Sequence, residues 1–329
     1  MHSIFFKAAA GLLSLQAALA APHHPRGYHS KSASTVFQLE RNGSWFENLA
    51  VRSDGSLLAT RIDAPELWSI EPNSNSSHPG HGSLLVTFPG AMSTLGITEI
   101  DSDVFAVVAG NISLPNIIPT PGSFVIWTVD LTHEVPSTQV LAHMTSGEFL
   151  DGMTKFSDDL LLISDALKGV IWRLNARTGE YSVALSSASM VPVAGQPVMV
   201  GVNGLKVLGN YVYYTSTSQE VYARIQTDNN ATAVGSAEII TSGFTFDGFA
   251  LMADGTAYLT TNPQNEVIKV SPDGRVRLLA GNQFMLAVGG ATAAALDQER
   301  SVLYVATSGA QFAPVMGRME PAKIVAIDM

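Results

Sequence analysis

Hydrophobic and polar positions along this chain repeat as one phrase: a polar or small residue, a short apolar strand, a turn, a β-rich run ending in a small residue, then two more strands. It opens at Glu47-Asn48-Leu49-Ala50-Val51, Gly96-Ile97-Thr98-Glu99-Ile100, Asp151-Gly152-Met153-Thr154, Asn203-Gly204-Leu205-Lys206-Val207, Asp247-Gly248-Phe249-Ala250-Leu251 and Thr292-Ala293-Ala294-Ala295-Leu296. Second strands are predicted from Leu57 to Thr60, Val104 to Ala109, Leu160 to Ser164, Tyr211 to Thr215, Ala257 to Thr261 and Val302 to Thr307. Third strands are clearest from Val125 to Asp130, Gly169 to Asn175, Glu220 to Ile225, Glu266 to Ser271 and Lys323 to Asp328.

The period selects the architecture. From Glu47 to Thr292 the openings recur about every 49 residues, within the range of about 40 to 50 for a four-stranded propeller blade. The last repeat is short by one strand, and Val36 to Glu40 reads as a strand left over at the other end. The prediction is an all-β, six-bladed β-propeller from residue 36 to 329, closed by its N-terminal strand so that no sheet edge is left open. Seven blades of shorter period are the alternative, but no seventh opening occurs. Asp54-Gly55, Asp254-Gly255 and Asp273-Gly274 supply hairpin turns. Insertions from Asn73 to Gly82 and from Ser113 to Gly122 should be surface loops.

Composition agrees with one domain of many short strands: 46% of the 329 residues are hydrophobic and 14% charged. Residues 1–20 read as a secretory signal, with Lys7 before an apolar run and Ala18-Leu19-Ala20 as a cleavage site. The run is too short to span a bilayer, so no membrane span is expected. Residues 21–35 read as a mobile lead-in. Sequons at Asn42, Asn75, Asn111 and Asn230 agree with export to the secretory pathway or beyond. Cysteine is absent, and the net charge of -10 disfavours nucleic acid or an anionic membrane surface as partner.

In a propeller the residues that begin the inner strands meet at one mouth of the axial channel. Here they are Glu47, Gly96, Asp151, Asn203, Asp247 and Thr292. Converging carboxylates repel unless something positive sits among them, and a hard cation such as calcium accepts carboxylate and amide oxygens in irregular geometry. The competing reading is that Asp-Gly and Asn-Gly only shape the turn into each strand; Glu47, with no Gly after it, is harder to explain that way.

These openings resemble those of the SMP-30/gluconolactonase family of six-bladed propellers. The resemblance implies that Glu47 in ENLAV, Asn203 in GVNGLKV and Asp247 in FDGFAL hold a divalent metal. Asp151 in FLDGMT departs from the Asn common in similar fungal sequences. Phrases such as ENLAVRSDG, PGSFVIWTVDL, LLISDALKGVIWRLNARTGEY and GVNGLKV are similar to a secreted fungal branch. Members of that branch with an assigned activity resemble hetero-Diels-Alderases of tropolone sesquiterpenoid biosynthesis, which join an o-quinone methide to a macrocyclic terpene such as humulene.

The residue inventory permits such chemistry. A cycloaddition needs no nucleophile and transfers no proton to the enzyme; the protein holds two apolar partners in register and polarises a carbonyl. Trp45, Phe46, Phe149, Met153, Phe246, Phe284 and Met285 flank the openings and, with Asp151, are candidates for a pocket at the mouth, against packing between blades as the plainer role. No Gly-x-Ser-x-Gly elbow occurs. Of the histidines only His133 and His143 fall near the blades, without metal-pair spacing. Asp165 and Asn262 follow second strands and either reach the mouth or cap turns. Three functions follow in order: a pericyclase of secondary metabolism acting as a monomer on small apolar substrates without an obligatory cofactor; a metal-dependent lactonase; and a non-catalytic extracellular binding module.

Overall fold

The computed structural model describes residues 30–72, 80–196 and 199–329. The expected signal, most of the lead-in and the sequon at Asn75 lie outside them. Six four-stranded antiparallel sheets account for almost all of the secondary structure; one turn of 3-10 helix, Ala188–Met190, is the only helical element among the described residues.

Blade 1 comprises Phe46–Val51, Leu57–Arg61, Glu66–Glu71 and His81–Thr87. Blade 2 comprises Ser93–Asp101, Val104–Gly110, Val125–Asp130 and Ser137–His143. Blades 3, 4 and 5 begin with the inner strands Leu150–Ser157, Val202–Leu208 and Phe246–Leu251. Blade 6 is assembled from both ends of the chain: Ala291–Asp297, Val302–Thr307 and Lys323–Asp328 are joined by Ser34–Gln38 as the outermost strand. In that closure Ser34 pairs with Ala326 and Gln38 with Lys323.

The predicted closing strand starts two residues early, at Ser34. An outermost strand has one solvated face, so the polar Ser34 and Thr35 can pair without a hydrophobic signature. The outer strands Ser137–His143, Tyr181–Ser186 and Glu238–Ser242 are largely exposed along their length, and for the same reason their alternation is faint in the sequence.

No single core exists. The buried side chains fall into six wedges, each between two neighbouring blades. Phe46, Leu57, Ala59, Tyr304 and Ile324 fill the wedge between blades 6 and 1; Tyr222, Phe246, Phe249 and Leu259 fill that between blades 4 and 5. Phe37 of the closing strand reaches across to blade 1, with its ring 6.3 Å from Phe46 and 5.8 Å from Trp68. Closure is thus made by side chains as well as by the backbone ladder. At the far end of the inner strands the expected turns form: Gly55 has φ 84°, and Asp54 Oδ1 accepts the Ser56 N–H at 2.8 Å.

Candidate functional site

Each inner strand starts at the mouth with a bulge that aims one residue at the axis. In blade 1 the ladder runs Phe46 to Arg61, then skips to Leu49 opposite Ala59. Blade 3 repeats this with Leu150 and Met153, blade 4 with Val202 and Leu205, and blade 5 with Phe246 and Phe249. Glu47, Asp151, Asn203 and Asp247 therefore hold equivalent places, all nearly fully buried. In blade 2 the same register, Thr94 with Ala109 and Ile97 with Val107, puts Leu95 in that place. Gly96 is corrected accordingly: it lies one step further, where a Cβ would stand 2.3 Å from the Asp151 carbonyl oxygen. Blade 6 supplies Thr292, whose hydroxyl donates to the Phe46 carbonyl at 2.7 Å.

The glycine that follows Asp151, Asn203 and Asp247 has a packing role. At Gly152 a Cβ would meet the Asn203 carbonyl oxygen at 2.4 Å, so neighbouring inner strands approach too closely for any side chain. Asp151-Gly152, Asn203-Gly204 and Asp247-Gly248 thus lie within the first residues of inner strands, whereas Asp54-Gly55 turns between strands.

Three carboxyl groups and two amides form the polar floor of the mouth. Asn203 Nδ2 donates to Asp247 Oδ1 and to Thr217 Oγ1, both at 3.1 Å, and Asn262 Nδ2 approaches Asp247 Oδ2 at 3.5 Å. Burial is the main cause that raises the carboxyl pKa values: Asp151 is pushed up to about 7, and Glu47 and Asp247 lie well above the carboxylate range. Mutual repulsion adds to this, from Asp247 and Asp151 on Glu47 and from Asp151 on Asp247. The Trp45 indole favours the charged form of Glu47, although neither Trp45 Nε1 nor Glu47 Oε2 finds a partner at hydrogen-bond distance.

Asp151 Oδ1 is likewise buried without a partner. Orphaned oxygens of buried carboxyl groups, once deprotonated, are the donor set a hard divalent cation takes. Glu47, Asp151 and Asp247, with Asn203, would hold it. As they stand, these side chains do not form a closed coordination shell, and no cluster of three His, Cys, Asp or Glu with metal-holding geometry occurs among the described residues.

The two candidates that follow second strands separate. Asn262 reaches the mouth. Asp165 caps a turn instead, accepting the N–H groups of Glu148 and Phe149 at 3.0 Å and the Trp172 indole at 3.0 Å. His133 and His143 are exposed on the outer part of blade 2, away from the axis.

Above this floor lies an apolar cavity of about 560 Å³. Phe149, Leu167, Met199, Phe312 and the insertion Pro115–Pro119 line it, and Asn116 and Gln196 are its only hydrogen-bonding side chains. Phe149 is held by the Phe124 ring, 6.5 Å away. Trp45 stands beside the cavity, edge-on to Phe312 at 5.2 Å, its backbone N–H tied to Asp63 Oδ1 at 2.9 Å. The insertion is a short hairpin, Ile112–Ser113 against Ile118–Pro119. A larger groove of about 640 Å³ between blades 1 and 6 sits at the other end of the inner strands; it is polar, and its Arg52 and Arg300 are paired with Asp103 and Asp297.

Among the expected pocket residues, Phe149 lines the cavity and Trp45 flanks it. Phe46, Met153 and Phe246 are corrected to wedge residues, because side chains on either side of the axial position turn into the gaps between blades. Phe284 and Met285 stand exposed on the loop before blade 6 and do not line the cavity. Phe312, Met199, Leu167 and the insertion were not singled out by sequence; the charge-free, Pro-rich character of 111–122 was the available signal. Of the sequons, Asn42 and Asn230 are exposed, whereas Asn111 Oδ1 is buried.

No protein-family model matches the chain. A Sarocladium schorii protein provisionally named hetero-Diels-Alderase asR5 is 26% identical over 215 residues, 57% of this chain and 52% of its own length, so that match spans about half of the relative. A Phoma protein provisionally named hetero-Diels-Alderase is 24% identical over 297 residues, 80% of this chain and 83% of its own. In fold, the calcium-binding protein regucalcin of Agrobacterium tumefaciens superposes with a TM-score of 0.63 at 12% identity, over 91% of this chain and 95% of its own. A luciferin-regenerating enzyme gives 0.65 at 11% identity, over 91% and 96%. Both parts of the resemblance read from the sequence are thus supported: the chain has the six-bladed propeller fold that regucalcin and the luciferin-regenerating enzyme share, and these two sequence relatives carry the name hetero-Diels-Alderase.

Proposed function

We propose that the chain is a pericyclase that joins an o-quinone methide to a terpene alkene in the cavity at the mouth. One observation carries this reading: the cavity is lined by apolar side chains and two amides, with no titratable or nucleophilic side chain among its lining residues. Proton transfer and covalent catalysis have no group to use there, whereas a cycloaddition needs none. The heterodiene contributes four π electrons and the alkene two; a C–C and a C–O bond form, the ring regains aromaticity, and no atom leaves. Confining both partners in one orientation supplies the rate. An amide N–H from Asn116 or Gln196 would polarise the heterodiene carbonyl as negative charge builds on its oxygen.

The test is product formation from an o-quinone methide released in situ with a humulene-type alkene. An enhanced rate and a single stereoisomer are expected; the product ratio of the uncatalysed reaction would exclude the proposal.

A second reading, a metal-dependent lactonase, is favoured by the unpartnered oxygens of Glu47 and Asp151. A divalent cation on the polar floor would polarise a lactone carbonyl. Turnover of lactones that stops with chelator would favour it, whereas cycloaddition indifferent to chelator favours the pericyclase.

A further inference from the structure

Two places before each axial residue stand Trp45, Ser93, Phe149, Gly201, Thr245 and Gly290, in blade order. Only Trp45 and Phe149 carry rings, and these are the two that stand at the cavity: Phe149 lines it, and Trp45 meets it through Phe312. In both blades a carboxyl group holds the backbone at this place. Asp165 of blade 3 is fully buried and takes four N–H groups, Oδ1 those of Phe149 at 3.0 Å and Lys168 at 3.1 Å, Oδ2 those of Glu148 and the Trp172 indole, both at 3.0 Å. In blade 1 Asp63 Oδ1 takes the Trp45 N–H at 2.9 Å and Arg61 Nε at 3.1 Å; Arg61 Nη1 donates to Glu66 Oε2 at 2.5 Å, and the same oxygen takes the Trp68 indole at 2.8 Å.

Trp68 and Trp172 are equivalent in the ladder, opposite Ala59 and Ile163. The link from wall backbone to third-strand indole is thus made by one residue in blade 3 and by three in blade 1. Where no ring stands, the backbone is held otherwise: the Gly201 N–H goes to the Ala166 carbonyl at 2.7 Å, that of Gly290 to Asn265 Oδ1 at 2.6 Å, and Ser93 pairs in the ladder with Gly110. Neither Asp63 nor Asp165 lines the cavity. Each acts on it through a ring. Gln311 Nε2 donates to the Ser44 carbonyl at 2.9 Å, which seats the loop bearing Phe312 against Trp45.

We infer that Asp63 and Asp165 are positioning residues: each fixes one aromatic wall, and the two walls set the orientation in which the reacting partners meet. This rests on the cycloaddition proposed above and names the residues that give it a defined stereochemistry. A carboxyl group that accepts several fixed donors has no other rotamer that keeps them, so the peptide it holds cannot swing and the ring on that peptide stays in place. The walls belong to blades 1 and 3, on either side of the blade 2 insertion, so both must hold for the space between them to keep its shape. Displacing a positioning group by about 1 Å lowers an orientation-dependent rate by about a hundredfold. The apolar area offered to the ligands is unchanged by such a shift, so the loss falls on kcat and not on KM.

The test uses Asp63→Asn and Asp165→Asn in the full chain, each of which keeps the side-chain shape and turns one acceptor oxygen into a donor facing a donor. Each should lower kcat at least about tenfold with KM within about twofold, and move the product ratio toward that of the spontaneous reaction. Leu303→Ala opens the wedge between blades 5 and 6; it should lower the melting temperature and leave the product ratio of the parent. Nile red, an achiral apolar dye displaced by humulene, reads the walls without any reaction. Bound to the parent it should show an induced circular dichroism band, and the two Asn variants should keep its fluorescence gain while losing most of that band. Should Asp165→Asn not fold, Asp63→Asn decides alone. A parent that yields no cycloadduct but a dye band that the Asn variants lose would sink the reaction and leave the positioning role standing. The positioning role is overturned if the parent gives no dye band, if the Asn variants keep the parent's band and product ratio, or if Leu303→Ala shifts them equally.

Discussion

Thr215 Oγ1 of blade 4 donates to the carbonyl oxygen of Asp247 in blade 5 at 2.8 Å, while accepting the Gly204 N–H of its own blade at 2.9 Å. The same clasp recurs where Thr60 meets Leu95 O at 2.6 Å, Ser164 meets Asn203 O at 2.6 Å and Thr260 meets Thr292 O at 3.0 Å. Each hydroxyl satisfies the backbone that its bulge leaves unpaired and fixes the axial residue of the next blade. Polar positioning and blade spacing are one arrangement.

Thr215→Val should therefore cost about 1–3 kcal/mol, the range for leaving buried backbone groups unpaired. The side chain keeps its volume, so packing is preserved. Denaturant unfolding checks this; a loss below the error of the measurement would show that water replaces the hydroxyl.

Gly152→Ala should be more damaging, because the added carbon would collide with backbone at 2.4 Å rather than with a movable side chain. Gly235→Ala, with nothing within 4 Å, should be neutral. Thermal melts of the pair separate close approach from loss of a glycine as such.

The pH dependence of stability in chelator has a definite sign. Burial raises the Asp151 carboxyl from 3.8 to about 7, so the folded state holds a proton that the unfolded chain has released. Its contribution is fully present below about pH 4 and is lost as pH rises through about 7. Glu47 and Asp247 shift in the same direction. Melting temperature should fall across that window, and Asp151→Asn should flatten the fall.

Calcium should reverse the loss above pH 7. A cation present at about 100 times its Kd adds about 2.7 kcal/mol to a protein that binds it only when folded. Glu47→Gln and Asp247→Asn should each abolish the shift in calorimetry. If the parent melts identically with and without calcium, the lactonase reading fails.

Phe312→Ala should redirect the cycloaddition while sparing the fold. Its ring is partly exposed and meets Trp45 edge-on, a contact worth about 1 kcal/mol. Product stereochemistry should drift toward the spontaneous ratio. Phe149→Ala should also lower stability, by about 3–5 kcal/mol, because that ring is buried.

How far the sequence revealed this molecule depended on periodicity. Inner and second strands, buried on both faces, left runs such as Leu160 to Ser164 that announced themselves. Outer strands such as Tyr181–Ser186, half solvated, did not. The axial residues Glu47, Asp151, Asn203 and Asp247 were legible because the repeat aligns them. Blade 2 misled by one residue: Gly96 matched the glycine that follows the axial place in other blades, and Leu95 gave no polar signal. The cavity was the least legible feature. Its walls come from loops of unlike length, Pro115–Pro119, Gln196–Val200 and Phe312, whose convergence is a matter of tertiary geometry with no period to betray it.

Blade 6 has a consequence for how the protein is made. Ser34 reaches its partner Ala326 over a sequence separation of 292. A nascent polypeptide can complete five sheets while still tethered to the ribosome, yet it remains a gapped arc with Phe46 and Tyr304 uncovered until residue 328 has emerged. Closure is therefore the last contact formed and the one of greatest loop length. A fusion that restrains either terminus would trap the open arc, and aggregation during synthesis would be its signature.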